Sequence, residues 1–112
     1  MRRVLPLLLF SLVTAGGAAA QCKDAMSTRD MEDCASSEYK RADTELNRVY
    51  QETLKKLQPQ LLREAQRAWL AYRDAHCDAQ YRLYTGGSIA PVILAQCRAT
   101  LTAQRAKEIR ES

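Results

Sequence analysis

The sequence predicts an all-α protein: a small disulfide-stapled three-helix bundle, or an antiparallel helical hairpin with an added helix. Three observations carry that expectation. Apolar residues recur every three or four positions, glycines and prolines punctuate the chain at only a few points, and four cysteines stand among 112 residues. A chain of this length holds one small domain, which excludes a barrel, a kinase or a two-domain dehydrogenase.

The first twenty residues read as a secretory signal rather than as part of the fold. Arg2 and Arg3 form a positive start, Val4 to Val13 an apolar stretch, and Ala18-Ala19-Ala20 a small-residue cleavage site. That stretch is far shorter than the ~20 apolar residues of a membrane span, and no later segment approaches it. Residues 21–112 are then one helical domain, exported to the periplasm or beyond. Gln21, not a small residue, precedes Cys22, and using Cys22 for a lipid would leave an odd number of thiols. Export without a lipid anchor is the expectation.

The first helix is expected to start at Ser27 or Thr28, whose hydroxyls can accept from an orphan backbone N–H, with Asp30 and Glu32 favourable to the helix dipole. Met31, Ala35, Tyr39, Ala42, Leu46, Val49, Tyr50, Thr53, Leu54 and Leu57 make its apolar stripe. Glu38, Lys40, Arg41, Glu45, Arg48, Glu52 and Lys55 make its solvent face. Gln58-Pro59 breaks the pattern and starts a second helix, because proline disfavours helical backbone before it but suits a first turn. Its stripe reads Leu61, Ala65, Trp69, Tyr72, His76, Ala79 and Leu83, ending at Gly86-Gly87. Ser88 is the expected cap of a third helix carrying Val92, Ile93, Cys97, Leu101, Arg105 and Ile109.

Cys77 lies ten residues before Gly87 and Cys97 ten after it, so an antiparallel hairpin turning there brings them level. Cys22 and Cys34 then close an N-terminal loop, although four cysteines allow three connectivities. A chain of about ninety residues buries a limited core, so bridges worth roughly 2–4 kcal/mol each decide whether it stays folded.

Charge and motifs narrow the function. The formal net charge of +4 is partly the signal's, and the remaining Lys and Arg are interleaved with Asp and Glu, so no basic field favours nucleic acid or anionic lipid. The one histidine, His76, has Asp74 and Cys77 nearby but not at the spacing of a helical metal pair, and reads as a core or boundary residue. Cysteine spacings of twelve, forty-three and twenty, without C-x-x-C, speak for bridges rather than zinc. No nucleophile elbow, phosphate loop or H-E-x-x-H occurs. The expectation is a non-enzyme with no cofactor and no metal, its oligomeric state left open.

Polar residues on otherwise apolar faces are the remaining signal. Asp43, Asn47 and Tyr50 align on the first helix, and Gln66, Trp69 and Arg73 on the second, with Arg105 on the third. One reading is a structural network in which Asp43 or another carboxylate neutralises a buried Arg73. The other is a recognition patch of Trp69, Tyr72 and Arg73, residue types that dominate binding hot spots. The hairpin tip, Tyr84, Thr85, Gly86, Gly87 and Ser88, is the further candidate contact, braced by Cys77 and Cys97.

The run Trp69-Leu70-x-Tyr72-Arg73-Asp74-x-x-Cys77, followed by Gly86-Gly87-Ser88 and Cys97, resembles the lysozyme inhibitor LprI-like N-terminal domain family. Cys22, Cys34-Ala35, Tyr39, Ala42-Asp43, Leu46-Asn47, Tyr50, Ala65-Gln66-Arg67-Ala68, Leu101-Thr102 and Arg105 extend the likeness over nearly the whole domain. The resemblance implies a small helical envelope or secreted protein of bacteria with lysozyme as its partner, inhibited by steric blocking of its cleft. The competing expectation is a structural or protein-interaction module of the bacterial envelope that binds another exported protein without inhibiting lysozyme.

Overall fold

A computed structural model describes residues 22–56 and 58–112; the expected signal, 1–20, and Leu57 of the first stripe lie outside the described residues. Three helices follow in order, α1 (Thr28–Leu54), α2 (Pro59–Leu83) and α3 (Ala90–Arg110), with no strand among the described residues. Ser27 caps α1, its hydroxyl accepting from the Asp30 backbone N–H at 3.0 Å. Gln58 has extended backbone, as a residue before proline must, and Pro59 opens α2. Ser88 does not cap α3. Ile89 holds that position without a side-chain bond, and Pro91 in the first turn already removes one N–H that a cap would satisfy.

Contacts along their length set the helix directions. Glu32 and Ser36, early in α1, share a groove with Pro91 and Ala95, early in α3, and with Tyr81, late in α2. Further on, Leu46 and Val49 pack on Ala106 and Ile109, with Tyr50 and Trp69 against them. So α1 and α3 run the same way and α2 runs against both. The contact of α1 with α3 is the extensive one; α2 rests mainly on α3 and scarcely approaches α1 at the backbone.

Small side chains allow the close approach of α1 and α3. Val92, Ala95, Ala99, Thr102, Ala106 and Ile109 are the buried face of α3, stepping by three and four in turn, the seam geometry of a coiled coil. The stripe expected on α1 is the one buried, with Ala35, Leu46, Val49 and Thr53 inside. Glu38, expected in solvent, is also buried, and its carboxylate is paired with Arg41. At the far end, Glu45 accepts from Arg110 at 2.9 Å and from Arg48 at 2.7 Å. The Arg48 hydrogen bond, then Arg110, hold its carboxyl below the ordinary glutamate range.

The expected stripe of α2 is overturned. Leu61, Ala65, Tyr72, His76, Ala79 and Leu83 are exposed, and only Trp69 of that set is half-buried. The buried residues of α2 are Arg73 and Cys77. Cys77 is bonded to Cys97, and Arg73 is inserted between aromatic rings, so these two contacts set the rotation of α2. The two alanines of the apolar row and the leucines at its two ends offer too little area to outweigh them.

Candidate functional site

Both disulfides staple one end of the bundle. Cys22 is bonded to Cys34 and Cys77 to Cys97, the sequential pairing. The start of α1, the end of α2 and the start of α3 meet at that end, and so does the hairpin tip, Tyr84 to Ser88. All five tip residues are exposed. The turn is held from within: Gly87 N–H donates to the Tyr84 carbonyl at 3.1 Å, and the Thr85 hydroxyl donates to the Arg82 carbonyl at 3.0 Å. Gly86 has φ +94°, a backbone that side-chain-bearing residues rarely adopt, so a glycine is required there. Tyr84 is 44% exposed, and Met26, beside Cys22 in the other stapled segment, is 93% exposed. The tip carries no charged residue.

The expected polar network separates into two parts. Within α1, Asn47 donates to Asp43 at 3.5 Å, both near the surface, while Tyr50 packs on the apolar cluster. Between α2 and α3, Arg105 donates to Gln66 at 3.0 Å and Arg73 to the Thr102 hydroxyl at 3.4 Å. The carboxylate that neutralises Arg73 is Asp74, which accepts from Nε at 3.0 Å and from Nη2 at 2.9 Å, and not Asp43. The Arg73 guanidinium carbon lies 5.5 Å from the Tyr39 ring centre and 5.4 Å from that of Trp69, and the Arg105 guanidinium carbon lies 5.9 Å from the Trp69 ring centre. Arg73 is therefore the polar centre of the bundle, held by cation–π attraction and one shallow ion pair.

This placement divides the second candidate patch. Arg73 is buried and Trp69 half-buried, whereas Tyr72 points outward and stacks on His76 with ring centres 5.6 Å apart. Trp69, Tyr72 and Arg73 do not form one surface. His76, expected at the core or its boundary, is exposed for the same reason that the α2 stripe is.

Two grooves open beside α1, one shared mainly with α3 and touched by Tyr81 of α2, the other shared with α2. One of about 620 Å³ is lined by Glu32, Tyr39, Lys40, Tyr81 and Arg98, among others. The second, of about 460 Å³, is lined by Asp43, Asn47, Tyr50, Arg63 and Arg67. In the first, the Nε–H of Arg98 is buried with no acceptor. Sequence reasoning did not single out Arg98 or Met26: an arginine among many has no distinguishing spacing, and Met26 belongs to no periodic stripe. Among the described residues no cluster of three or more His, Cys, Asp or Glu is placed to hold a metal ion, and no helix is long and apolar enough to cross a membrane.

Comparison with known proteins gives the same frame. A protein of Rhizobium meliloti (strain 1021), described only as uncharacterized, is 33% identical over 132 aligned positions, covering 99% of this chain and 95% of the relative. No solved structure matches the chain. The profile of the family described as lysozyme inhibitor LprI matches residues 18–109, which takes in both disulfides, all three helices but the last residue, and the hairpin tip, so the chain belongs to the LprI lysozyme inhibitor family.

Proposed function

We propose that this protein is an exported, non-covalent inhibitor of lysozyme that acts by occlusion. Its family and its two disulfides suit a place outside the cytoplasm, where such bonds persist. The periplasm or the medium is the site of action, reached through the N-terminal signal. The observation that carries the reading is the stapled end. There an uncharged, aromatic-bearing turn projects from two helices locked by the Cys77–Cys97 disulfide.

A stiff projection loses little conformational freedom on binding, so its contact area converts more fully into affinity. Tyr84, Thr85, Gly86, Gly87 and Ser88 cover or enter the sugar-binding cleft and deny peptidoglycan access to the paired carboxylates that cleave it. No bond to lysozyme is formed. Lacking charge at the tip, the complex owes little to long-range steering and is expected to change little with salt.

The test is clearance of a cell-wall suspension by several lysozyme types, with and without stoichiometric oxidised protein, alongside Tyr84→Ala. Protection by the parent protein and at least ~10-fold weaker protection by the variant is the expected outcome for a hot-spot aromatic. Protection undiminished in Tyr84→Ala would remove the tip from the mechanism. Absence of protection against every type would leave an interaction module of the envelope, whose partner a periplasmic pull-down would seek.

A further inference from the structure

The exposed row of α2 is unusual in being ordered about a single residue. Leu61, Ala65, Ala68, Tyr72, His76, Ala79 and Leu83 follow one side of the helix, and all are exposed, with Leu61 at 59%, Tyr72 at 55% and Leu83 at 75%. Tyr72 is the midpoint. Leu61 and Leu83 stand eleven residues to either side of it, Ala65 and Ala79 seven, Ala68 and His76 four. The row spans about 33 Å of helix and includes no Asp, Glu, Lys or Arg. A neighbouring groove between α2 and α3, lined by His76, Gln80, Ile93, Gln96, Thr100 and Leu101, is equally free of charge.

From this we propose that α2 is a homodimer interface, formed with a second copy of the chain packed antiparallel across a two-fold axis at Tyr72. Such an axis sets Leu61 on the second copy's Leu83, Ala65 on its Ala79 and Tyr72 on its Tyr72, a self-complementary pattern that an isologous contact demands. The alanines at intermediate positions let the two helices approach closely, and the leucines close both ends.

Charge selects the same direction. Glu64, which accepts from Gln60, and Arg82, which is paired with Asp78 at 2.8 Å, lie on one flank of the row at its opposite ends, so the antiparallel arrangement adds Glu64 of each copy to the Arg82–Asp78 pair of the other. A parallel arrangement would carry that flank to opposite sides of the contact and leave the two unpaired. The absence of charge along the row itself, with charged residues confined to its flank, is the composition of an interface core. Two helices over this length, with the adjoining groove, bury on the order of 1,000 Å², the lower edge of specific association, so a micromolar dimer is expected. No residue of the row belongs to the tip, so the dimer and the tip's role are tested separately.

Charge exchange tests both the face and its register. Leu61→Glu with Leu83→Glu sets carboxylate against carboxylate at both ends of the row; Leu61→Glu with Leu83→Lys sets carboxylate against ammonium. Both positions are solvent-exposed, so the monomer fold tolerates either pair. The mass of the oxidised protein, expressed from its full chain, is measured by analytical ultracentrifugation at roughly 100 µM, above the dissociation constant such an area supports. We expect the parent and the Glu/Lys variant to sediment as dimers and the Glu/Glu variant as a monomer with the parent's helical circular dichroism, its thermal midpoint lower only by the lost association. A monomeric parent, a dimeric Glu/Glu variant, or a Glu/Lys variant as dissociated as Glu/Glu would each overturn the proposal.

Discussion

Arg73 shows how a single residue can take the place of a larger apolar core. It is 7% exposed, sandwiched between Tyr39 of α1 and Trp69 of α2, and bonded to Thr102 of α3, so it touches all three helices. Its charge reaches solvent through Asp74, whose side chain is 57% exposed. The usual objection to a buried ion, that desolvation exceeds the attraction gained, is eased by that open partner and by two ring faces. Truncation removes the stem's packing as well as the charge. Arg73→Ala is therefore expected to lower unfolding stability by about 3 kcal/mol, comparable to loss of a large core side chain, as measured by urea denaturation. Arg73→Lys keeps the charge but not the planar stack, and should recover only part of the loss.

At the scale of elements, α2 is the helix held by special contacts rather than by area. α1 and α3 share a continuous seam, whereas α2 is fixed by the Cys77–Cys97 bond, the Arg73 stack and the Gln66–Arg105 hydrogen bond. Cys77→Ala with Cys97→Ala is expected to raise amide exchange throughout the second half of α2 and the hairpin, well ahead of α1 residues 42–53, in hydrogen-exchange mass spectrometry. Uniform acceleration of all three helices would show instead that α2 is no separate unit. The same asymmetry explains what the sequence made legible. α1 is long and its stripe large and periodic, so its buried face follows from spacing, Glu38 apart. In α3 the buried face is Ala, Thr and Val, residues that small-volume packing uses but that stand out weakly beside Ile93 and Leu101. In α2 the most apolar row faces outward, because a disulfide and a cation between rings, neither of them periodic, decide its rotation.

The whole molecule combines a short seam, a polar centre and two covalent clamps. Loops of twelve and twenty residues closed by disulfides restrict the unfolded chain by roughly 3 kcal/mol each. For a domain of this size, losing both should lower the thermal midpoint by about 20 °C or more. Differential scanning calorimetry of oxidised and reduced protein reads this directly; near-equal midpoints would mean that the helical seam suffices. The pairing was legible from where the glycines turn the hairpin, and the tip from the Gly86-Gly87 stop, though not from Ser88, which does not cap α3. That both bridges gather at one end was not, since it depends on α1 and α3 running in parallel.

That gathering has a practical consequence. α3 carries the chain about 30 Å from the clamped turn to Ser112, so a dye, affinity handle or solid support joined there stands at the opposite pole. A protein immobilised through its last residue would present the turn outward in a uniform orientation, ready for capture of whatever it grips.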